Sequence, residues 1–374
     1  MDGAGIWFNL NKRGKFMRLR VIDFGEVSPL RSQAVFHGIA KTVRESSDPV
    51  LVMSSPSDPY VCVGMHQQID REVDEEYCRQ NNLPIYRRHV GGGTVYLDKN
   101  QYFTQFIFPR DKAPKRAEQL YPLFIEPVVR TYKELGIDAQ FRPANDIHVN
   151  GRKIGGTGAA SIENATVMAG SFMFDFDTET MARCLKIPSE KFRDKLKTTL
   201  DDYMTTMAKE LDRVPSREAL REMFLQHCAK VLNVVPEIVQ ASEKELAAIL
   251  EAERELQDPE WTYVQGRKFV EMGVKISADT HLTENAHKAP GGLIRVHLLN
   301  RDGKIDDLMI TGDFTCLPPD GVDRLADRLK GESLQVKRLA MVIEKFIDEM
   351  GVEMVGVGAV DIEMAIMGAV QETE

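Results

Sequence analysis

The dipeptide Asn150-Gly151 constrains this chain more than any other feature, because it separates two β-like runs, residues 146–149 and 152–154, with a pair suited to a two-residue turn. Both central positions of such a turn need positive φ, which Asn and Gly adopt readily. An antiparallel hairpin is therefore predicted, and Asp302-Gly303 predicts a second between residues 292–299 and 304–311. Other short strands are expected at 19–24, 50–53, 60–64, 85–88, 94–97, 102–108 and 171–176. Ser28-Pro29 reads as an N-cap with a first-turn proline, opening a helix to about residue 45, and further helices are expected over 74–82 and 115–135. Strands and helices do not alternate regularly, so the expected fold class is α+β, not a doubly wound sheet.

Residues 178–256 read as charged, mostly helical cover broken by Pro188, Pro215 and Pro236. Near residues 259–267 helical periodicity gives way to strands at 269–276, 292–299 and 304–311. Helices at 321–329 and 333–350, a strand at 355–360 and a short final helix follow. Two domains are expected, 1–262 and 263–374, with 178–262 as a helical covering and linker region.

With 374 residues, 43% of them hydrophobic, the chain can bury a sizeable core. Its net charge of −9 argues against a general nucleic-acid or membrane-surface binder, so any phosphate site must be local. No run approaches the roughly 18 apolar residues of a membrane span. Basic residues near the start, such as Lys12 and Arg13, precede no signal-peptide stretch. Five dispersed cysteines with no CxxC pair indicate neither a disulfide framework nor a zinc knuckle. A cytoplasmic monomer is the expectation.

Two segments could hold chemistry. Arg87-Arg88-His89-Val90-Gly91-Gly92-Gly93-Thr94 lies between two strands, where glycine N–H groups and arginine charge can hold an anion. It is equally the pattern of a glycine-rich turn with solvated arginines, and without GKS or GKT it is no P-loop. Lys153, on the hairpin and followed by Gly155, Gly156 and Gly158, is suited to stabilise a phosphate or a reacting carboxylate, or is an ordinary surface lysine. Asn145 and Asp146 could contact a ribose, a phosphate-bound metal or only the turn backbone. His281 and His287 match no metal-site spacing and read as loop residues.

Taken together, ordered motifs over residues 50–176 resemble lipoate–protein ligases, relatives of biotin–protein ligases and octanoyltransferases. They are Val61-Cys62-Val63-Gly64-Met65-His66-Gln67, the Arg87-Arg88 and Gly91-Gly92-Gly93 segment through Asp98, Asn145-Asp146-Ile147, and Gly151-Arg152-Lys153-Ile154 with Gly156. Residues 270–320 resemble more weakly, through Lys288-Ala289-Pro290-Gly291-Gly292 and Thr311-Gly312-Asp313-Phe314, the accessory domain of such ligases. The resemblance implies a mixed-sheet catalytic domain followed by a small α+β accessory domain. It implies ATP and Mg2+ with lipoate as substrate, a lipoyl-adenylate, and transfer to a lysine of an acceptor. That acceptor would be a lipoyl domain, a glycine-cleavage H protein or an H-like lipoate carrier. By matching positions, Lys153 would be catalytic. Arg87, Arg88, Gly91, Gly92, Gly93 and Thr94 would close over the adenylate and lipoyl head, Gly64, His66 and Gln67 would line the neighbouring pocket, Asn145 and Asp146 would help hold nucleotide or metal, and Gly156 would belong to the same site. Asp146 is a candidate Mg2+ ligand.

Octanoyltransferases of the superfamily use a cysteine near the equivalent lysine. Here Cys78 and Cys184 lie too far from Lys153 in sequence, and Cys184 reads as a small buried apolar residue. ATP-driven ligation is therefore expected, with an octanoyl or lipoyl transferase, a biotin ligase, or an inactive lipoate-binding scaffold as alternatives. Val90, Leu97 and Ala169 depart from the family pattern, and Tyr203-Met204-Thr205-Thr206-Met207 only loosely matches a further segment.

Overall fold

The computed structural model describes residues 17–263, 275–277 and 280–371. Its largest layer is an eight-stranded sheet. The spatial order is Val234–Ile238, Met17–Val27, Val50–Pro56, Gln101–Pro109, Ala165–Met173, Arg152–Ile162, Asp146–Val149 and Gln140–Arg142. Met17–Val27 runs parallel to both its neighbours, and the other pairs are antiparallel, so the sheet is mixed. Val50–Pro56 and Gln101–Pro109 are buried along their whole length because helices cover both faces. Alternation divides their side chains. Leu51, Met53, Phe106 and Phe108 enter a core with Leu120, Phe124 and Phe224 of helices Ala117–Glu134 and Arg217–Leu232. Val50, Val52 and Ile107 enter another with Phe36 and Ile39 of helix Pro29–Thr42 and Ile249 of helix Glu243–Gln257. A small sheet of Ile85–Arg87, Tyr60–Val63 and Val95–Leu97 flanks this assembly.

Both turn expectations hold. Asn150 and Gly151 have φ of 49° and 80°, and Asp302 and Gly303 of 52° and 71°, as a tight hairpin of this hand requires. The second hairpin belongs to an antiparallel sheet of Lys275–Ser277, Thr280–Ala289, Gly292–Arg301 and Lys304–Gly312. Strand Gly292–Arg301 alternates buried and half-buried residues, because one face alone packs on helices Gly321–Leu329, Val336–Met350 and Ala359–Gln371.

Four expectations change. Within the supposed helical cover, Val234–Ile238 is an edge strand of the main sheet, where Pro236 is tolerated because the missing N–H costs no ladder bond. His281 and His287 lie on strand Thr280–Ala289, not in a loop. The strand expected at 171–176 is the end of Ala165–Met173. Only Glu353–Met354 pairs as a strand near 355–360; the chain then turns at Gly356 and enters the helix from Ala359. The strand expected at 269–276 falls largely outside the described residues.

Candidate active site

The hairpin of Asp146–Val149 and Arg152–Ile162 contains a bulge. Ile147 pairs with Gly155, but His148 pairs with Lys153, leaving Ile154 as the extra residue. Bulges re-aim side chains, and this one puts Lys153 beside Asp146 and His148, which share a face by strand alternation. Lys153 Nζ lies 2.8 Å from Asp146 Oδ1. His148 Nε2 stands 3.6 Å from the other carboxylate oxygen and 3.4 Å from the Tyr203 hydroxyl. The backbone is braced as well, since Thr205 N donates to Lys153 O at 2.8 Å. Asn145 Nδ2 donates to Thr157 O at 2.8 Å, tying the start of one strand to the next.

The arginine-glycine segment is built differently. Arg87 has 0% exposure, and its Nη1 donates to the carbonyls of Gly64, Met65 and Gln67 while Nε donates to that of Thr262. Arg87 thus departs from the expectation that it closes over a ligand: a planar cation with several donors cross-links backbone behind the loop. Arg88 donates to Cys62 O at 3.0 Å, Gly91 O at 2.9 Å and Gly93 O at 2.7 Å, folding the glycine turn around its own guanidinium. Gly64 is required beneath this turn, because a Cβ there would collide with Gly92 O. Gln67 Oε1 accepts from Gly64 N at 3.2 Å and from Thr94 Oγ1 at 3.0 Å. The buried His66 ring stacks on Phe314 of the C-terminal region with centroids 5.2 Å apart, and its carbonyl accepts from Gly312 N. His66, Gln67 and Thr94 therefore sit one layer behind the loop.

Between the two constructions is a cavity of about 200 Å³. Arg88, Gly91, Gly92, Gly93, Asn145, Lys153 and Gly156 line it, together with apolar Phe36, Val90, Leu97, Phe103 and Ala169. Motif residues some sixty positions apart in sequence thus meet around one space, with cations and backbone donors beside an apolar recess. Gln105 and His148 were not singled out from the sequence, and Tyr203 entered only through a loose motif match. Asp146-x-His148 on a predicted strand was the available signal for His148; nothing in an apolar run marked Gln105.

All five cysteines are buried, and none lines the cavity. Cys62, whose carbonyl accepts from Arg88, has its thiol pushed up from the ordinary value by burial, against the pull of Arg88 and Arg87. A larger open groove of about 560 Å³ between helix Glu75–Gln80 and Pro259–Thr262 holds none of the motif residues.

A mixed sheet with a glycine loop and a hairpin lysine facing one cavity defines a lipoate ligase-like fold. The family model for the lipoyl protein ligase A/B catalytic domain matches residues 28–229, just over half the chain, and the chain belongs to that family. Residues 281–354 match the bacterial lipoate protein ligase C-terminus. Lipoate-protein ligase LplJ of Bacillus subtilis is 27% identical over 77% of this chain and 82% of its own length. Octanoyltransferase LipM of Geobacillus kaustophilus is 23% identical over 65% of this chain and 97% of its own. Among solved structures, the bipartite lipoate protein ligase of Thermoplasma acidophilum, described with its E2 lipoyl domain, superposes with a TM-score of 0.62 at 23% identity. It covers 68% of this chain and 100% of that one. Among the described residues, no helix is long and apolar enough to cross a membrane.

Proposed function

We infer that this chain is an ATP-dependent lipoate–protein ligase. The observation that carries the reading is the Lys153–Asp146 pair at the polar end of a cavity that no cysteine lines. In the first step a carboxylate oxygen of lipoate attacks the α-phosphorus of ATP, giving lipoyl-AMP and pyrophosphate. In the second, the ε-amine of an acceptor lysine attacks the acyl carbon, forming an amide and releasing AMP. Lys153 contacts the carboxylate and the α-phosphate, stabilising the charge that develops on their oxygens, in a recess from which the glycine loop excludes water. Gly91, Gly92 and Gly93 bring backbone close to the ligand, with Arg88 holding the loop in shape. Gly64, His66, Gln67 and Thr94 support that loop from behind, and Asn145 and Gly156 shape the nucleotide side.

Asp146 does not itself line the cavity but holds its carboxylate against Lys153, which does, and among the described residues no cluster of three or more His, Cys, Asp or Glu forms a metal cage. That suits Mg2+, which is commonly held by substrate phosphates with one or two carboxylates. It would supply further neutralisation of phosphate charge, with Asp146 as its protein ligand. The acceptor class favoured is a lipoyl domain. We place the domain division at residue 262, because Trp261 Nε1 donates to Arg87 O and Thr262 O accepts from Arg87, fastening this end of the catalytic unit to its glycine loop.

The test combines lipoate, Mg-ATP and a lipoyl-domain protein, and reads pyrophosphate release and the acceptor's mass. Lipoylation that requires ATP is expected. An acyl group transferred without ATP from an acyl-carrier thioester would favour the octanoyltransferase alternative instead.

A further inference from the structure

Gln105 is a polar group of the acyl recess that the proposed chemistry does not use. Gln105 lies on strand Gln101–Pro109 opposite Ala169, which is in turn opposite Gly158, so three adjacent strands present these residues side by side. It is 2% exposed and lines the cavity among Phe36, Val90, Phe103 and Ala169. Its Nε2 donates to Ser32 O at 3.2 Å. Because a backbone carbonyl can only accept, this contact decides which end of the amide is nitrogen. Oε1 is then a buried acceptor with no hydrogen-bond partner. Gly158 is five residues beyond Lys153 on the same strand, roughly 16 Å at about 3.3 Å per residue. That separation suits a lysine side chain followed by a medium-chain acyl group, which puts Gln105 at the far end of the recess.

We propose that Gln105 determines acyl specificity, its Oε1 accepting a hydrogen bond from a donor near the distal end of the acyl chain. This rests on the ligase reading for the position of the carboxylate. A plain octanoyl chain would seal the acceptor against methylene groups, with its hydration lost and nothing returned. The oxidised dithiolane of lipoate has no donor and leaves the acceptor equally unpaired, whereas the reduced dithiol of dihydrolipoate brings neutral S–H donors, weak but of the right polarity, and a terminal hydroxyl brings a stronger one. Sites built around a buried polar group reject analogues that leave it unpaired.

The experiment compares octanoate, dihydrolipoate and 8-hydroxyoctanoate as acids for ATP-dependent pyrophosphate release, in the full chain and in Gln105→Leu, with Gln105→Met as a second variant should the first fold poorly. The full chain is expected to favour both donor-bearing acids over octanoate in kcat/KM, the hydroxy acid by roughly tenfold. The substitution should bring the three within about twofold by improving octanoate. Equal ratios in the parent and both variants would overturn the proposal. If the parent releases no pyrophosphate with any acid, the ligase reading fails. Calorimetric binding of the same three acids then decides the specificity proposal alone: a preference for the donor-bearing acids that is lost on substitution supports it, and equal affinities overturn it.

Discussion

Arg87 and Lys153 are both cations of the segments that meet at the cavity, and the protein surrounds them in opposite ways. Arg87 is wholly enclosed, with donors directed at four backbone carbonyls, whereas the Lys153 side chain is 28% exposed and faces a single carboxylate. The guanidinium offers several fixed donors and cannot lose its charge, so it suits a permanent cross-link. An ammonium on a flexible stem suits a ligand that comes and goes. In the proposed reaction the glycine loop is thus a rigid wall, and the hairpin supplies the reactive charge.

The sharpest way to break this division is Lys153→Met. Pyrophosphate release should fall by about 100-fold or more, the scale of losing one charge-stabilising group, while the melting temperature stays within a few degrees. Activity within tenfold of the parent would remove Lys153 from the chemistry. Arg87→Met should do the reverse, leaving buried carbonyls without donors and costing about 3 kcal/mol or more in urea unfolding. A variant as stable as the parent but inactive would move Arg87 to the ligand side.

The wall also carries a titratable stack. His89, the residue after Arg88, lies between the rings of His37 and Trp261, with centroids 3.7 and 4.1 Å away. Burial, and then the Lys41 charge, push His37 down to about 4, against the pull of Glu255. The unfolded chain, with His near 6.5, therefore binds more protons between those limits. Stability from the neutral ring is complete above about 6.5 and is lost as pH falls toward 4, by about 3 kcal/mol. Urea unfolding across this window should show the slope, and His37→Phe should reduce it, leaving the part that comes from His89, whose ring burial likewise pushes below its ordinary value. An unchanged slope would place the titration elsewhere.

A smaller effect is expected from Gly91→Ala. The added Cβ would lie 2.6 Å from Phe314 O and from Thr315 Cα, where the C-terminal region rests on the loop. It should cost about 1–2 kcal/mol and increase proteolytic separation of the two regions. Unaltered stability and protection would mean the contact yields easily.

What the sequence disclosed depended on how local the cause was. Asn150-Gly151 and Asp302-Gly303 announce their turns because positive φ is a property of the residues themselves. Val234–Ile238 could not be placed in the sheet, since its partner Met17–Val27 is some two hundred residues away and Pro236 argues against a strand. The meeting of the glycine loop with Lys153 was legible through the resemblance. The different work of Arg87 and Arg88 was not, because adjacent arginines look alike until the carbonyls they engage are known, and carbonyls leave no mark on a sequence. The bulge at Ile154, which brings His148 opposite Lys153, is silent for the same reason.

In the proposed reaction the acyl group is activated on phosphate and not on sulfur. Incubating the chain with lipoate and Mg-ATP but no acceptor, then comparing native and denaturing mass spectra, tests it directly. The expected result is lipoyl-AMP bound in the native spectrum and an unmodified chain after denaturation. A lipoyl group that survives denaturation on any of the five cysteines, and is released by hydroxylamine, would contradict it.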